Sequence, residues 1–190
     1  MRTKNSVKFI AQKIPGVVLI TPTIFKDNRG YFTETYRQDL LEDFIGYKIN
    51  FVQDNLSKSN VGVLRGLHYQ LPPYSQAKLV KVIEGSALDI VVDIRRNSST
   101  FGQHMSIKLT SENHHQLFIP HGFAHGFLAL TDSVKFVYKA DNYYSKEHER
   151  GISFDDKQLD INWGLPYESL IISEKDRQLP SLDTVKNFFN

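Results

Sequence analysis

Arg65, His68 and Gln70 fall within one short stretch, Gly62-Val63-Leu64-Arg65-Gly66-Leu67-His68-Tyr69-Gln70, whose other residues are apolar, aromatic or glycine. Imidazole has an unperturbed pKa of about 6.5, which suits it to take a proton at neutral pH, and a guanidinium suits a carboxylate or phosphate. Side chains alternate along a strand, so Gly66, His68 and Gln70 should share one face and Arg65, Leu67 and Tyr69 the other. If the interior of the fold is a pocket, His68 points into it as a general base. The plainer alternative is a hydrogen-bonded core histidine. Gln53-Asp54-Asn55, a little upstream, adds further polar groups.

A second cluster, Ile119-Pro120-His121-Gly122-Phe123-Ala124-His125-Gly126-Phe127, places two histidines four residues apart. With His68 they invite a metal reading, but position 70 is Gln where a paired strand ligand would be His, and the preferred reading has no metal. The alternatives are a loop histidine at His121 and a pocket-lining group at His125. Tyr138 shares a strand face with Val134 and Phe136, so its hydroxyl faces inward and needs a polar partner. It is either a core tyrosine bonded to backbone or a general acid. Taken alone, Lys175 and Asp176 read as a charged surface turn and Lys78 as an edge lysine. Arg29 and Glu34 read as a turn and its ion pair. Phosphate-cradling GxxxxGK[ST] and dinucleotide GxGxxG loops are absent, as are GxSxG and HExxH.

These side chains must be held by strands. Leu88 to Ile94, Met105 to Leu109 and Val134 to Tyr138 alternate with period two. Turn signals separate the runs: Asp27-Asn28-Arg29-Gly30, Ser59-Asn60-Val61-Gly62, Glu84-Gly85-Ser86, Asn97-Ser98-Ser99 and Pro120-His121-Gly122. Helical spacing is confined to Asp39–Phe44 and to part of Leu165–Gln178. The pattern predicts an all-β sandwich or barrel with short peripheral helices. A single domain over residues 1–190 is expected, with the tail beyond Trp163 folded over the core and Phe188-Phe189 packed.

The chain has 190 residues, of which 41% are apolar and 12% aromatic, enough for a sizeable core. A net charge of +2 gives no field to draw nucleic acid or an anionic membrane. The absence of cysteine excludes disulfides, thiol nucleophiles, cysteine-ligated zinc and iron–sulfur clusters. No segment reads as a secretory or spanning signal, so a cytoplasmic location is expected.

Asp27 to Glu34, Phe51 to Asn55, Gly62 to Gln70, Ala77 to Val80, Phe118 to Phe127, Tyr138-Lys139-Ala140 with Tyr143-Tyr144, and Ser173 to Asp176 occur in order along the chain. Together they resemble the dTDP-4-dehydrorhamnose 3,5-epimerase family, from about residue 15 to residue 180. The resemblance implies a cupin-type double-stranded β-helix, or jelly roll, that works without metal or cofactor as a homodimer in dTDP-rhamnose biosynthesis. The implied substrate is a nucleoside-diphosphate 4-keto-6-deoxy sugar. By the same resemblance His68 is the base, Asp176 its carboxylate partner and Tyr138 the acid on the opposite face of the ring. Lys78 is a cation near the C4 oxygen, and Arg65, Gln53 and Asn55 line the sugar–diphosphate site. Arg29 and Glu34 reach the nucleotide in the partner's site across an exchanged N-terminal strand, for which the residues around Phe9, Val17 and Leu19 are suited. His125, Glu149 and Lys175 are further substrate-binding positions.

The sequence departs from the family pattern at His104, where Trp is common, and at Gly164, where Pro is common. Neither position belongs to the acid–base set, but both leave the sugar and nucleotide open. The other readings are a C3-only or C5-only epimerase of another nucleotide-linked 4-keto sugar, a metal-dependent cupin enzyme, and a non-catalytic sugar-binding jelly roll.

Overall fold

Strands with period-two patterning need partners on both edges, and here they find them in two facing sheets. The structure, a computed structural model, describes residues 7–185 and 189. In chain order the elements are β1 (Val7–Ala11), β2 (Val18–Pro22), β3 (Ile24–Asp27), β4 (Gly30–Thr33), α1 (Gln38–Ile45), β5 (Gln53–Ser59), β6 (Val63–Gln70) and β7 (Lys78–Glu84). They continue with β8 (Ser86–Asp93), β9 (His104–Thr110), β10 (Gln116–Ile119), β11 (Phe123–Ala129), β12 (Val134–Ala140), β13 (Glu149–Gly151), β14 (Ile171–Ile172) and α2 (Glu174–Arg177). Single 3-10 turns occur at Tyr167–Ser169 and Leu182–Thr184.

One sheet runs β1-β2-β10-β7-β12-β5 and the other β13-β6-β11-β8-β9, with β14 added parallel to β6. Within them β5 to β12 give the facing orders β5-β12-β7-β10 and β6-β11-β8-β9, the strand order of a jelly roll. The fold class is therefore the one the sequence predicts. The hairpin β3–β4 stands apart from both sheets.

Between the sheets, Val80, Val82 and Phe136 pack against Val91, Leu109 and Phe127, with Tyr138 at the margin. The outer face of the second sheet, including Leu64, Ile90 and Val92, is covered by Phe154, Leu159, Trp163 and Leu182 from the C-terminal segment. Leu41 and Ile49 cover the outer face of the first sheet at Val18, Ile20 and Phe118. Both faces of β10 and β11 are consequently buried along their whole length. On β8 this double burial puts Leu88, Ile90 and Val92, with Ile94 just beyond the strand, under the C-terminal segment, while Ala87 and Val91 face the space between the sheets. Asp89, 0% exposed, lies on that interior face.

The expected helix at Asp39–Phe44 is α1, closed by Gly46 at φ +83° with its N–H bonded to the Glu42 carbonyl. The helical patterning over Leu165–Gln178 divides differently, because Ile171 and Ile172 pair with Val63 and Leu64 as strand β14. Only Glu174–Arg177 remains α-helical there. Phe189 lies 6.4 Å from the Tyr69 ring, whereas Phe188 falls outside the described residues. β1 pairs with β2, and β2 with β10, of the same chain. Among the described residues no helix is long and apolar enough to cross a membrane.

Candidate active site

β6 and β11 approach each other at two glycines. A Cβ on Gly66, whose φ is +129°, would lie 2.5 Å from the Gly126 Cα, and one on Gly126 would lie 2.7 Å from the Arg65 carbonyl oxygen. Around this contact the register slips: His68 faces His125, but Arg65 faces Phe127. Gly66 and Leu67 thus oppose Gly126 alone, a β-bulge. The bulge turns Arg65 and His68 onto the same cavity, which corrects the strict alternation that set them on opposite faces. The cavity has a volume of about 580 Å³ and is walled by both sheets and by the segment from Ile171 to Asp176.

His68 Nε2 lies 2.8 Å from Asp176 Oδ1, although 108 positions separate the two residues. Asp176 is 4% exposed, and its Oδ2 also accepts the Gly66 N–H at 3.2 Å. Ser173 caps α2 by accepting the Asp176 N–H, which fixes where the carboxylate sits. Burial pushes the Asp176 carboxyl upward, but the hydrogen bond and charge of His68, with Gly66 N–H and Ser173, hold it below its usual value. It is therefore an anion at neutral pH and can fix the imidazole's tautomer.

A second imidazole–carboxylate pair lies deeper. His125 Nε2 is 2.8 Å from Asp89 Oδ2, and both side chains are buried. Burial raises the Asp89 carboxyl, with His125 and Lys78 acting in the opposite direction. Lys78 sits in the same wall with its Nζ 5.9 Å from the Tyr138 ring centre. Burial of its ammonium, opposed by Asp89 and Glu149, lowers its pKa to about 8. Tyr138 comes from β12 in the sheet facing His68. Burial and the Glu149 charge raise its phenol, with Arg65 opposing.

Polar side chains also form the rim. Glu149 Oε2 accepts Lys175 Nζ at 2.6 Å and the Tyr144 hydroxyl at 2.8 Å. Burial raises the Glu149 carboxyl, but these contacts and His68 bring it below its usual value. Gln53 donates to Asn55 Oδ1 at 3.0 Å and accepts the Tyr144 N–H at 2.9 Å. Asn55 is the cross-strand neighbour of Tyr138. Asn55 Nδ2, Ser57 Oγ and Asp89 Oδ1 are buried without a hydrogen-bond partner. Such atoms are costly to leave unpaired, and all three belong to residues in the cavity wall or hydrogen-bonded or paired to it. Of the three, the Ser57 hydroxyl lies in the wall itself, where a polar group entering the cavity could pair with it.

The structure thus brings His68, Asp176, Tyr138, Lys78, His125, Arg65 and Lys175 to one cavity, with Glu149, Gln53 and Asn55 linked to its rim. It does not bring Arg29 or Glu34 there. Arg29 sits at the β3–β4 turn with its side chain 85% exposed beside Asp27, and Glu34 lies 4.0 Å from Arg37. His121 bonds Asp141 at 2.8 Å and is not part of the cavity wall, so the three histidines of the metal reading do not converge. Among the described residues no three His, Cys, Asp or Glu side chains gather as a metal site.

Three participants escaped the sequence reading. Asp89 had a signal, a lone carboxylate inside an apolar run. Ser57 had one too, since Gln53, Asn55, Ser57 and Ser59 put polar groups on the inward face of β5 while Leu56, at 64% exposed, faces out. Ser173 had only its N-cap chemistry.

A family model described as dTDP-4-dehydrorhamnose 3,5-epimerase matches residues 11–184. A dTDP-4-dehydrorhamnose 3,5-epimerase of Shigella flexneri is 50% identical over 167 residues, covering 88% of this chain and 91% of the relative. The crystal structure of dTDP-6-deoxy-D-glucose-3,5-epimerase from Legionella pneumophila, in complex with dTDP-4-keto-L-rhamnose, superposes with a TM-score of 0.90 at 42% identity, covering 94% of each chain. A 3'-monoepimerase from Streptomyces bikiniensis in complex with dTDP-quinovose gives a TM-score of 0.85 at 31% identity, covering 91% of this chain and 87% of that one.

Proposed function

Because the chain belongs to the dTDP-4-dehydrorhamnose 3,5-epimerase family, an isomerase family, we propose that it inverts C3 and C5 of dTDP-4-dehydro-6-deoxy-D-glucose to give dTDP-4-dehydro-L-rhamnose. The observation that carries the proposal is the pairing of His68 with a buried Asp176 in a cavity whose other sheet presents Tyr138. A hydrogen on carbon next to a ketone is removable because the electron pair left behind moves onto the carbonyl oxygen as an enolate. With Nε2 committed to Asp176, His68 Nδ1 is the nitrogen that takes the proton. Lys78 stabilises the charge developing on the C4 oxygen. Tyr138 then returns its own proton to the same carbon from the opposite face. The imidazolium releases its proton to water and the phenolate regains one, which resets the pair for the second carbon. Oxidation states do not change, so the reaction needs no hydride carrier.

Arg65 and Lys175 supply the cations a diphosphate requires. Arg29 and Glu34 act on a second copy of the chain, in the nucleotide end of its site. The exposed aromatic hairpin around Arg29, with Phe25 51%, Tyr31 59% and Phe32 69% exposed, supports such a contact.

Turnover of the dTDP keto sugar in deuterated water tests the activity. Deuterium at both C3 and C5, undiminished by chelator, is the expected result. Deuterium at one carbon would assign the chain to the single-centre reading, to which the Streptomyces bikiniensis relative belongs by name. No incorporation would reject the proposal for this substrate.

A further inference from the structure

Gln70 lies two residues beyond His68 on β6, is 4% exposed, and is not part of the cavity wall. All of its amide is nonetheless engaged. Oε1 accepts the Ser145 N–H at 2.6 Å, and Nε2 donates to the Tyr74 carbonyl at 2.6 Å and the Tyr143 carbonyl at 3.2 Å. One side chain therefore ties β6 to two loops, residues 71–77 and 141–148. The loops are laced to each other beside it. Asn142 Nδ2 donates to the Pro73 carbonyl at 2.9 Å, Gln76 Nε2 to the Asn142 carbonyl at 2.8 Å, and Leu71 N–H to the His148 carbonyl at 2.9 Å.

The second loop carries Tyr144 and leads directly into Glu149, which stands opposite Gln70 in the β13–β6 register. Glu149 binds the Tyr144 hydroxyl and Lys175, and its charge acts on Tyr138 and Lys78. The chain of contact runs from Gln70 through the backbone at 143–145 to Glu149, whose carboxylate holds the cavity residue Lys175. We propose that Gln70 is a positioning residue for the substrate-binding rim, acting through Tyr144 and Glu149; this rests on the function proposed above. Its chemistry is specific to an amide, because the site asks for one acceptor and two donors in a buried place. Glutamate has the shape but would turn lone pairs toward two carbonyls, and methionine fills the volume with no hydrogen bond.

The test uses the full chain with Gln70→Met and Gln70→Glu, the second guarding against a misfolded first. Amide hydrogen exchange over residues 141–149 should quicken about tenfold while that of β8 is unchanged, a local effect. With the dTDP keto sugar, KM should rise about tenfold and kcat stay within about threefold. The variant combined with Glu149→Gln should be no worse than the weaker single variant, because both substitutions disable one unit. Loop exchange equal to wild type overturns the proposal whatever the activity. So do a fall in kcat at constant KM and effects that multiply in the double variant. A wild-type chain inactive on this sugar would reject the function instead, and the exchange measurement would still decide the role of Gln70.

Discussion

An enolate needs its developing negative charge stabilised, and the proposed mechanism gives that task to Lys78, whose ammonium has a pKa that burial lowers to about 8. Below that value Lys78 is charged and competent, and as pH rises through it the cation is lost. Tyr138 is raised above the ordinary phenol value and so stays protonated across the same window. The kcat profile should therefore fall above about pH 8, and Lys78→Arg, at lower overall rate, should lose that limb because a guanidinium does not titrate there. A wild-type profile flat to about pH 9.5 would count against Lys78 as the cation. At this scale the sequence was legible for position: His68 and Tyr138, expected to point inward, both line the cavity. Asp176 was not legible: its meaning comes from a partner 108 positions away, and only a resemblance to a known family pointed to it.

Elements decide which of these side chains meet. Alternation alone put Arg65 and His68 on opposite faces, and the β-bulge at Gly66 and Leu67 brings them together. Nothing in residue periodicity announces a bulge, although Gly66 opposite Gly126 marks the close approach that permits it. Gly66→Ala would place a methyl 2.5 Å from the Gly126 Cα at a backbone angle that L residues rarely adopt. Urea unfolding should show a loss of about 3 kcal/mol, with activity falling too as β6 and β11 part. A loss under about 0.5 kcal/mol would mean that the two strands can separate without consequence. The helical patterning near the C-terminus was legible only in part, since pairing of Ile171 and Ile172 with β6 overrides it and delivers Ser173, Lys175 and Asp176 to the cavity.

For the whole molecule, the all-β class was legible because the segments that form β8, β9 and β12 alternate with period two, while burial on both sheet faces hides that pattern on β10 and β11. The site draws on both sheets and on the C-terminal segment, and the proposed nucleotide contacts at Arg29 and Glu34 lie outside it within one chain. If those contacts serve a second copy, mixing inactive His68→Ala with inactive Arg29→Ala protein should restore up to about a quarter of wild-type activity per site after subunit exchange, whereas sites completed within one chain would show no recovery. The proposed mechanism sets a base and an acid on opposite faces of one sugar ring. Its most direct measurement follows deuterium uptake and inversion together in His68→Ala and Tyr138→Phe. His68→Ala should lose both by about a thousandfold, while Tyr138→Phe should still admit deuterium but invert at least about a hundredfold more slowly. Exchange at the wild-type rate in His68→Ala, or exchange and inversion falling equally in Tyr138→Phe, would contradict it.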